Sequence, residues 1–260
     1  GDDWVSILSL GMPGYDAIPY LVSLAAFHLV EYQLRVARDV AVVSEPFKLV
    51  CEVVAPKKTL VREVSSELYQ QNNLLPNQAI MAYIAAIEQS EEWQTAKLQP
   101  VAFVRCKDIL LKKVLWGDEY DGANNPDDLI NELKSAAKKR HQQHVANVHR
   151  NYGREIGLVS KRGTVKLRYA PNDDLLKALL FANVEKRMEL NQFLSLLWHR
   201  YALIFGDREA EAMLPKDEFD KKAFQANARR LEQRLASLGL LKRLSDGCAY
   251  VINPYSRSNV

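Results

Sequence analysis

The stretch FDKKAFQANARRLEQRLASLGLLKRLSDGCAYVINPY, Phe219 to Tyr255, decides how this chain is read. Phe224, Ala228, Leu231, Leu235 and Leu238 recur at steps of four and three. At about 100° per residue they share one face of a helix. The same wheel sends Lys222, Gln225, Ala226, Arg229 and Gln233 to the opposite side, with Arg230 at its flank. That side offers ammonium, amide and guanidinium groups around a small residue, the chemistry that meets base edges and phosphates in a major groove. Gly239 ends the helix, as a residue free to turn left-handed does. Leu240 to Ser245 and Cys248 to Ile252 then flank Asp246-Gly247, a two-residue hairpin signal with Lys242 and Arg243 near its tip.

Working back from there, Val165 to Tyr169 alternates as a strand closed by Pro171, and 173–184 and 190–204 read as apolar-faced helices. Strand, helix, helix, helix and hairpin in that order resemble the winged helix-turn-helix superfamily. The residues that carry the resemblance are the Phe224/Leu231/Leu235 face, the Leu238-Gly239-Leu240-Leu241 helix exit and the Ser245-Asp246-Gly247 turn. It covers about a third of the chain and is a likeness of fold. It implies a recognition helix presented to DNA, with the wing on an adjacent groove or backbone. One departure is the lead-in from Arg208 to Asp220, which is longer and more acidic than a compact member needs. Acids there would repel phosphate.

Upstream, Asp127 opens a helix with acids at its positive end, and the pattern runs to about Ile156, roughly 45 Å at 1.5 Å per residue. Between Lys134 and Arg168 the chain carries ten basic side chains and one acid, Glu155. Basic and acidic side chains number 11 and 16 in residues 1–126, 10 and 4 in 127–171, and 14 and 12 in 172–260, so a net charge of +3 hides a basic centre. Charge concentrated this way is the footprint of phosphate or of an acidic partner. Lys138, Lys139, Arg140, Lys161 and Arg162 join the candidate binding set on these grounds.

In the first half, 17–41 reads as a helix with Leu21, Leu24, Ala25, Leu29, Tyr32, Leu34 and Val36 on its apolar side and Arg35 and Arg38 outside. Phe47 to Val54 is the strand candidate, and 59–72, 76–96 and 101–116 read as further helices, Pro76 opening the second. The acidic loop from Gly117 to Pro126 is the expected boundary. The fold class is therefore mainly α. A helical domain with one short strand spans 1–122, a basic long-helix connector 123–163, and a winged helix 164–260.

An apolar share of 48% with 26% charged excludes wholesale disorder. Cys51, Cys106 and Cys248 are odd in number and far apart, which fits a reducing cytoplasm. The most apolar run, Ile18 to Val30, is too short to span a bilayer. Gly1-Asp2-Asp3 opens without a Met or a signal-peptide pattern, so either a remnant of cloning or an excised fragment is expected.

Catalytic signatures are missing. The 11 glycines include no phosphate-cradling loop, no nucleophile elbow is present, and Glu52 has Val54 where a restriction-type nuclease would carry Lys. His141, His144 and His149 lie among Lys138, Lys139 and Arg140, which would repel a cation, so they read as a solvated basic helix face. Asp118, Glu119 and Asp121 miss the calcium-loop spacing. Trp198 and Tyr201 read as core, and Tyr250 as a cross-strand packing residue. The expected function is a non-enzymatic accessory subunit that binds nucleic acid, double-stranded DNA, within an assembly of protein subunits. By analogy of architecture this suits bacterial DNA-processing or phage-defence machinery. No cofactor, metal or membrane is expected. The alternative is a protein–protein scaffold whose basic segment meets an acidic protein surface.

Overall fold

A computed structural model describes residues 1–161, 166–244 and 247–256. The chain is mainly helical, and no helix in the described residues is long and apolar enough to cross a membrane. It divides into two compact units. One holds Gly1–Tyr32, Phe47–Asn72 and His149–Val260; the other holds Gln33–Pro46 and Asn73–Val148. These differ from the division into 1–122, 123–163 and 164–260. The physical reason is that the 117–126 loop is no linker: Trp116 is buried and packs in one cluster with Leu110, Leu129 and Ile130. The strand candidate near residue 50, meanwhile, belongs with the C-terminal residues.

The first unit contains α1 (Asp2–Leu8), the start of α2 (Gly14–Val40), β1 (Leu49–Val50) and the start of α3 (Leu60–Gln89). After residue 148 it adds β2 (Val159–Ser160), β3 (Arg168–Tyr169), α8 (Asp173–Asn183), β4 (Arg187–Glu189), α9 (Leu190–Tyr201), β5 (Leu203–Ile204), α10 (Asp207–Met213), α11 (Lys221–Ser237), β6 (Leu241–Arg243) and β7 (Ala249–Ile252). The second unit holds α4 (Glu91–Lys97), capped by the Ser90 hydroxyl, with α5 (Ala102–Val114) and α6 (Pro126–Arg140). Helix α3 continues through Pro76, where the sequence suggests a fresh start. The helix that opens at α6 does reach Glu155, but through π-helical turns at His141–Val145 and Val148–Tyr152 before the short α7 (Gly153–Glu155).

Residues 49–53 run through the interior of the first unit. β1 pairs in parallel with β5, Leu49 beside Leu203 and Val50 beside Ile204. Past β1, Cys51 N–H still bonds Ile204 O and Glu52 N–H bonds Tyr169 O, but among the described residues Cys51 O and Val53 N–H have no backbone partner and need other company. The buried Asn227 of α11 supplies it. Its Oδ1 accepts from Val53 N–H at 2.8 Å, and its Nδ2 donates to Cys51 O at 2.9 Å and Phe205 O at 3.0 Å. Around this clasp Val50, Val61, Val64, Ile204, Leu214 and Phe224 form one apolar cluster.

Glu52, fully buried, is held between two guanidinium groups. Arg62 Nε donates to Oε1 at 2.8 Å, and the buried Arg168 donates to Oε2. Desolvation offsets most of the attraction within such a group, yet removing one member leaves a buried charge uncompensated. A second buried polar cluster ties α1 to α2 and α9. Asp3 accepts from His28 Nε2 and Tyr201 O–H, each at 2.8 Å, and from Arg200. His28 Nδ1 faces Glu31 at 3.2 Å. Hydrogen bonds to the two carboxylates hold the imidazole pKa up, at about 9.

The histidines near residue 145 do not form a solvated face. His149 is 1% exposed, stacks on Tyr69 at 4.9 Å and meets Tyr169 Oη at 2.9 Å, and burial pulls its pKa down to about 4. It therefore stays neutral at ordinary pH. His141 is buried as well, and its pKa is also lowered by desolvation; His144 alone of the three is exposed. The π turns rotate side chains away from an ideal 3.6-residue wheel, which is why the periodicity misplaced them.

Two outcomes follow. Asn227→Ala leaves three buried backbone groups unsatisfied and should cost about 3 kcal/mol, read as a lower urea midpoint with an unchanged slope. For His28 the folded pKa lies above the unfolded value, so its contribution is fully present below about pH 6.5 and is lost as pH rises through about 9. After discounting for its partly exposed ring, stability should fall by roughly 1–2 kcal/mol across that window, and a His28→Gln variant should lack this slope in urea melts.

Candidate nucleic-acid interface

The candidate interface lies on α11 and the sheet that follows it. Asp220 caps α11, its carboxylate accepting from Ala223 N–H at 2.7 Å. Phe224, Leu231 and Leu235 are fully buried, as their spacing implies, whereas Ala228 is half-buried and Asn227 takes the centre of the inner face. The helix ends at Leu238 and turns at Gly239, φ 73°, with Leu240 N–H bonded to Leu235 O at 2.8 Å. That six-to-one bond across a left-handed residue is a Schellman closure. β6 and β7 follow, and the three-stranded antiparallel sheet has the order β4-β7-β6. At the turn Gly247 has φ 81°, and Leu244 N–H meets Cys248 O at 3.0 Å. Ser245 and Asp246 of the expected turn lie outside the described residues.

The outward side of α11 is narrower than the wheel suggests. Lys222, Arg229 and Gln233 are exposed, with Lys221 beside them and the half-buried Ala226 between. Gln225 is drawn inward, its amide donating to Asp207 at 3.0 Å. Arg230 turns to the interior and donates to Val53 O at 3.2 Å, so it fixes the 49–53 segment and is not free to meet a ligand. Arg234 likewise binds Asp173 and Pro171 O. These corrections share one cause: positions a quarter-turn from the apolar face meet the edges of neighbouring elements, and long side chains fold onto whatever acceptors lie there.

Lys242 and Arg243 are neighbours on β6 and so leave opposite sides of the sheet. Lys242 is exposed opposite Tyr250, over whose ring the Arg187 guanidinium sits at 5.7 Å. Arg243 leans back to α11 and pairs with Glu232 at 2.7 Å. Among the described residues, Lys221, Lys222, Arg229 and Lys242 have no acidic partner.

The upstream basic residues fall in two places. Lys138, Lys139 and Arg140 belong to the second unit; all three are exposed, and Arg140 pairs with Glu119 at 3.0 Å. Lys161 is exposed in the first unit, and Arg162 lies outside the described residues. Arg168 is removed from the surface by Glu52, and Lys134 pairs with Glu88 at 2.7 Å. The acidic lead-in is largely structural. Its helix α10 buries Ala210, its Glu209 accepts from Ser195 at 2.7 Å, and Asp207 and Asp220 have the roles given above. Tyr201 is core, as read, and Trp198 packs half-buried against the cluster around Phe224. No group of three His, Cys, Asp or Glu side chains among the described residues is placed to hold a metal.

No protein-family model matches this sequence, and no curated protein does.

At Gly239 an added Cβ would meet nothing within 4 Å, so only backbone strain opposes a side chain there. Gly239→Ala should cost about 1 kcal/mol, lowering Tm by roughly 2–4 °C in a calorimetric scan while leaving the α11 surface intact.

Proposed function

We propose that residues 173–256 form a winged helix that docks α11 against double-stranded nucleic acid, with Lys222, Arg229 and Gln233 toward the groove and Lys221 and Lys242 on phosphates. The single observation that carries this reading is the outward side of α11. It holds cations and an amide without acidic partners, on a helix whose other side is locked to the core by Asn227, Phe224 and Leu231. The strand order β4-β7-β6, with β4 lying between two helices in sequence, supports the winged-helix topology. A rigid helix that offers such groups gains affinity from phosphates and selectivity from base edges. The chain acts as a non-enzymatic accessory subunit in a cytoplasmic assembly, and Lys161, in the same unit as α11, adds electrostatic attraction.

A scaffold role without nucleic acid is the second reading. It is favoured by the inward engagement of Gln225 and Arg230 and by the surface ion pairs of Arg140 and Arg243, which leave fewer unpaired donors than the sequence offers.

Fluorescence anisotropy with a labelled duplex separates the two. If three phosphates are neutralised, affinity should fall by roughly 40-fold between 50 and 200 mM salt. Lys222→Glu with Arg229→Glu should weaken low-salt binding at least tenfold without altering the far-ultraviolet circular dichroism. Absence of binding at low salt selects the scaffold.

A further inference from the structure

Helix α2 has two apolar sides, and the chain covers one of them. Leu24, Phe27 and Val30 are fully buried. On the other side Tyr15, Ile18, Val22, Ala25, Leu29 and Tyr32 succeed one another at steps of three and four, and all are exposed. Tyr15 is 85% accessible, Val22 61% and Tyr32 65%. This reverses part of the sequence expectation, which put Ala25, Leu29 and Tyr32 on the buried side with Leu24. A helix apolar all round is normally enclosed all round. Here the uncovered side repeats every seven residues, the spacing that one helix presents to another.

We propose that this stripe is a homodimer seam, with α2 of one copy packed antiparallel on α2 of a second. Three observations select a second copy as the occupant. First, the positions flanking the stripe, Gly14, Pro19, Leu21, Ala26 and His28, include one titratable group, and its charge is held by Asp3 and Glu31. A charged partner finds no complement there, and an identical stripe meets no repulsion. Second, the sizes match about a twofold axis between Val22 and Ala25. Tyr15 of one copy lies opposite Tyr32 of the other, Ile18 opposite Leu29, and Val22 opposite Ala25. Parallel pairing would set Ala25 on Ala25 and leave a gap at the seam. Third, the accessible area of the stripe is roughly 600 Å² per copy, so pairing buries about 1,200 Å² in all, the lower bound for a specific interface. An exposed apolar patch of this size on a lone chain marks an interaction site. The contact is isologous and closes on itself.

Sedimentation equilibrium of the whole chain at tens of micromolar should give twice the 29.6 kDa chain mass. Val22→Glu with Leu29→Glu, both at exposed positions, should give the single-chain mass with unchanged circular dichroism. A single-chain mass for the unaltered protein overturns the proposal, and so does a dimer that survives both glutamates. Register is read by oxidative cross-linking in a Cys248→Ser background. Tyr15→Cys chains mixed with Tyr32→Cys chains should link, and neither should link alone. Self-linking of Tyr15→Cys overturns the antiparallel seam.

Discussion

A strand segment that runs out of strand partners governs the first unit. Residues 49–53 lie between β5, where Leu49 and Cys51 N–H bond Ala202 O and Ile204 O, and β3, where Glu52 N–H bonds Tyr169 O, while Cys51 O, Val53 N–H and Val53 O depend on side chains. One carboxamide, that of Asn227, closes Val53 N–H, Cys51 O and Phe205 O together. An unmet buried amide costs on the order of 1–3 kcal/mol, so the position of α11 is set by this requirement as much as by apolar contact. Arg230 adds a second tie to Val53 O one turn along. With Asn227 and Arg230 committed inward, Lys222, Arg229 and Gln233 have one place to go, which is solvent. The same bonds that complete the core therefore orient the outward surface.

Charge is handled in two distinct ways in this unit. Glu52 is enclosed with Arg62 and Arg168, and Asp3 with His28, Tyr201 and Arg200, so four of the unit's cationic side chains serve packing. Tyr169 joins the interior network through Asn72 and His149, and its backbone bonds Ser65 and Glu52. These groups specify which elements meet, since a misplaced neighbour would leave one of them unmatched. Among the described residues, exposed cations without an acidic partner remain on α11 and β6 and at Lys161, and equally at Lys57, Arg150, Arg154, Lys166, Lys186, Arg208 and Lys216. A raw count of basic residues overstates the unpaired surface charge for this reason.

Much of this was legible in the sequence because it rests on local periodicity. The Phe224, Leu231 and Leu235 face, the Gly239 exit and the two strands around Gly247 all follow from spacing and turn chemistry. Asn227 was invisible because its partners are 174 and 176 positions away and an amide on a helix reads as solvent-facing. β4 and β5 were missed because three and two residues carry no measurable alternation. The unit division was missed because residues 47–72 pack with chain that comes much later. His141 and His149 were misplaced because π turns do not obey the wheel used to read them. Glu52 did carry a signal: an acid inside an apolar run, which in a buried strand demands a cationic partner.

Nucleic-acid contact through α11 is the central claim, and proximity tests it most directly. A photoreactive amino acid in place of Gln233, on the exposed side and outside the core ties, should cross-link to a bound duplex on illumination. The yield should fall as salt displaces the complex. A duplex that binds the chain yet gives no cross-link from this position would contradict the account.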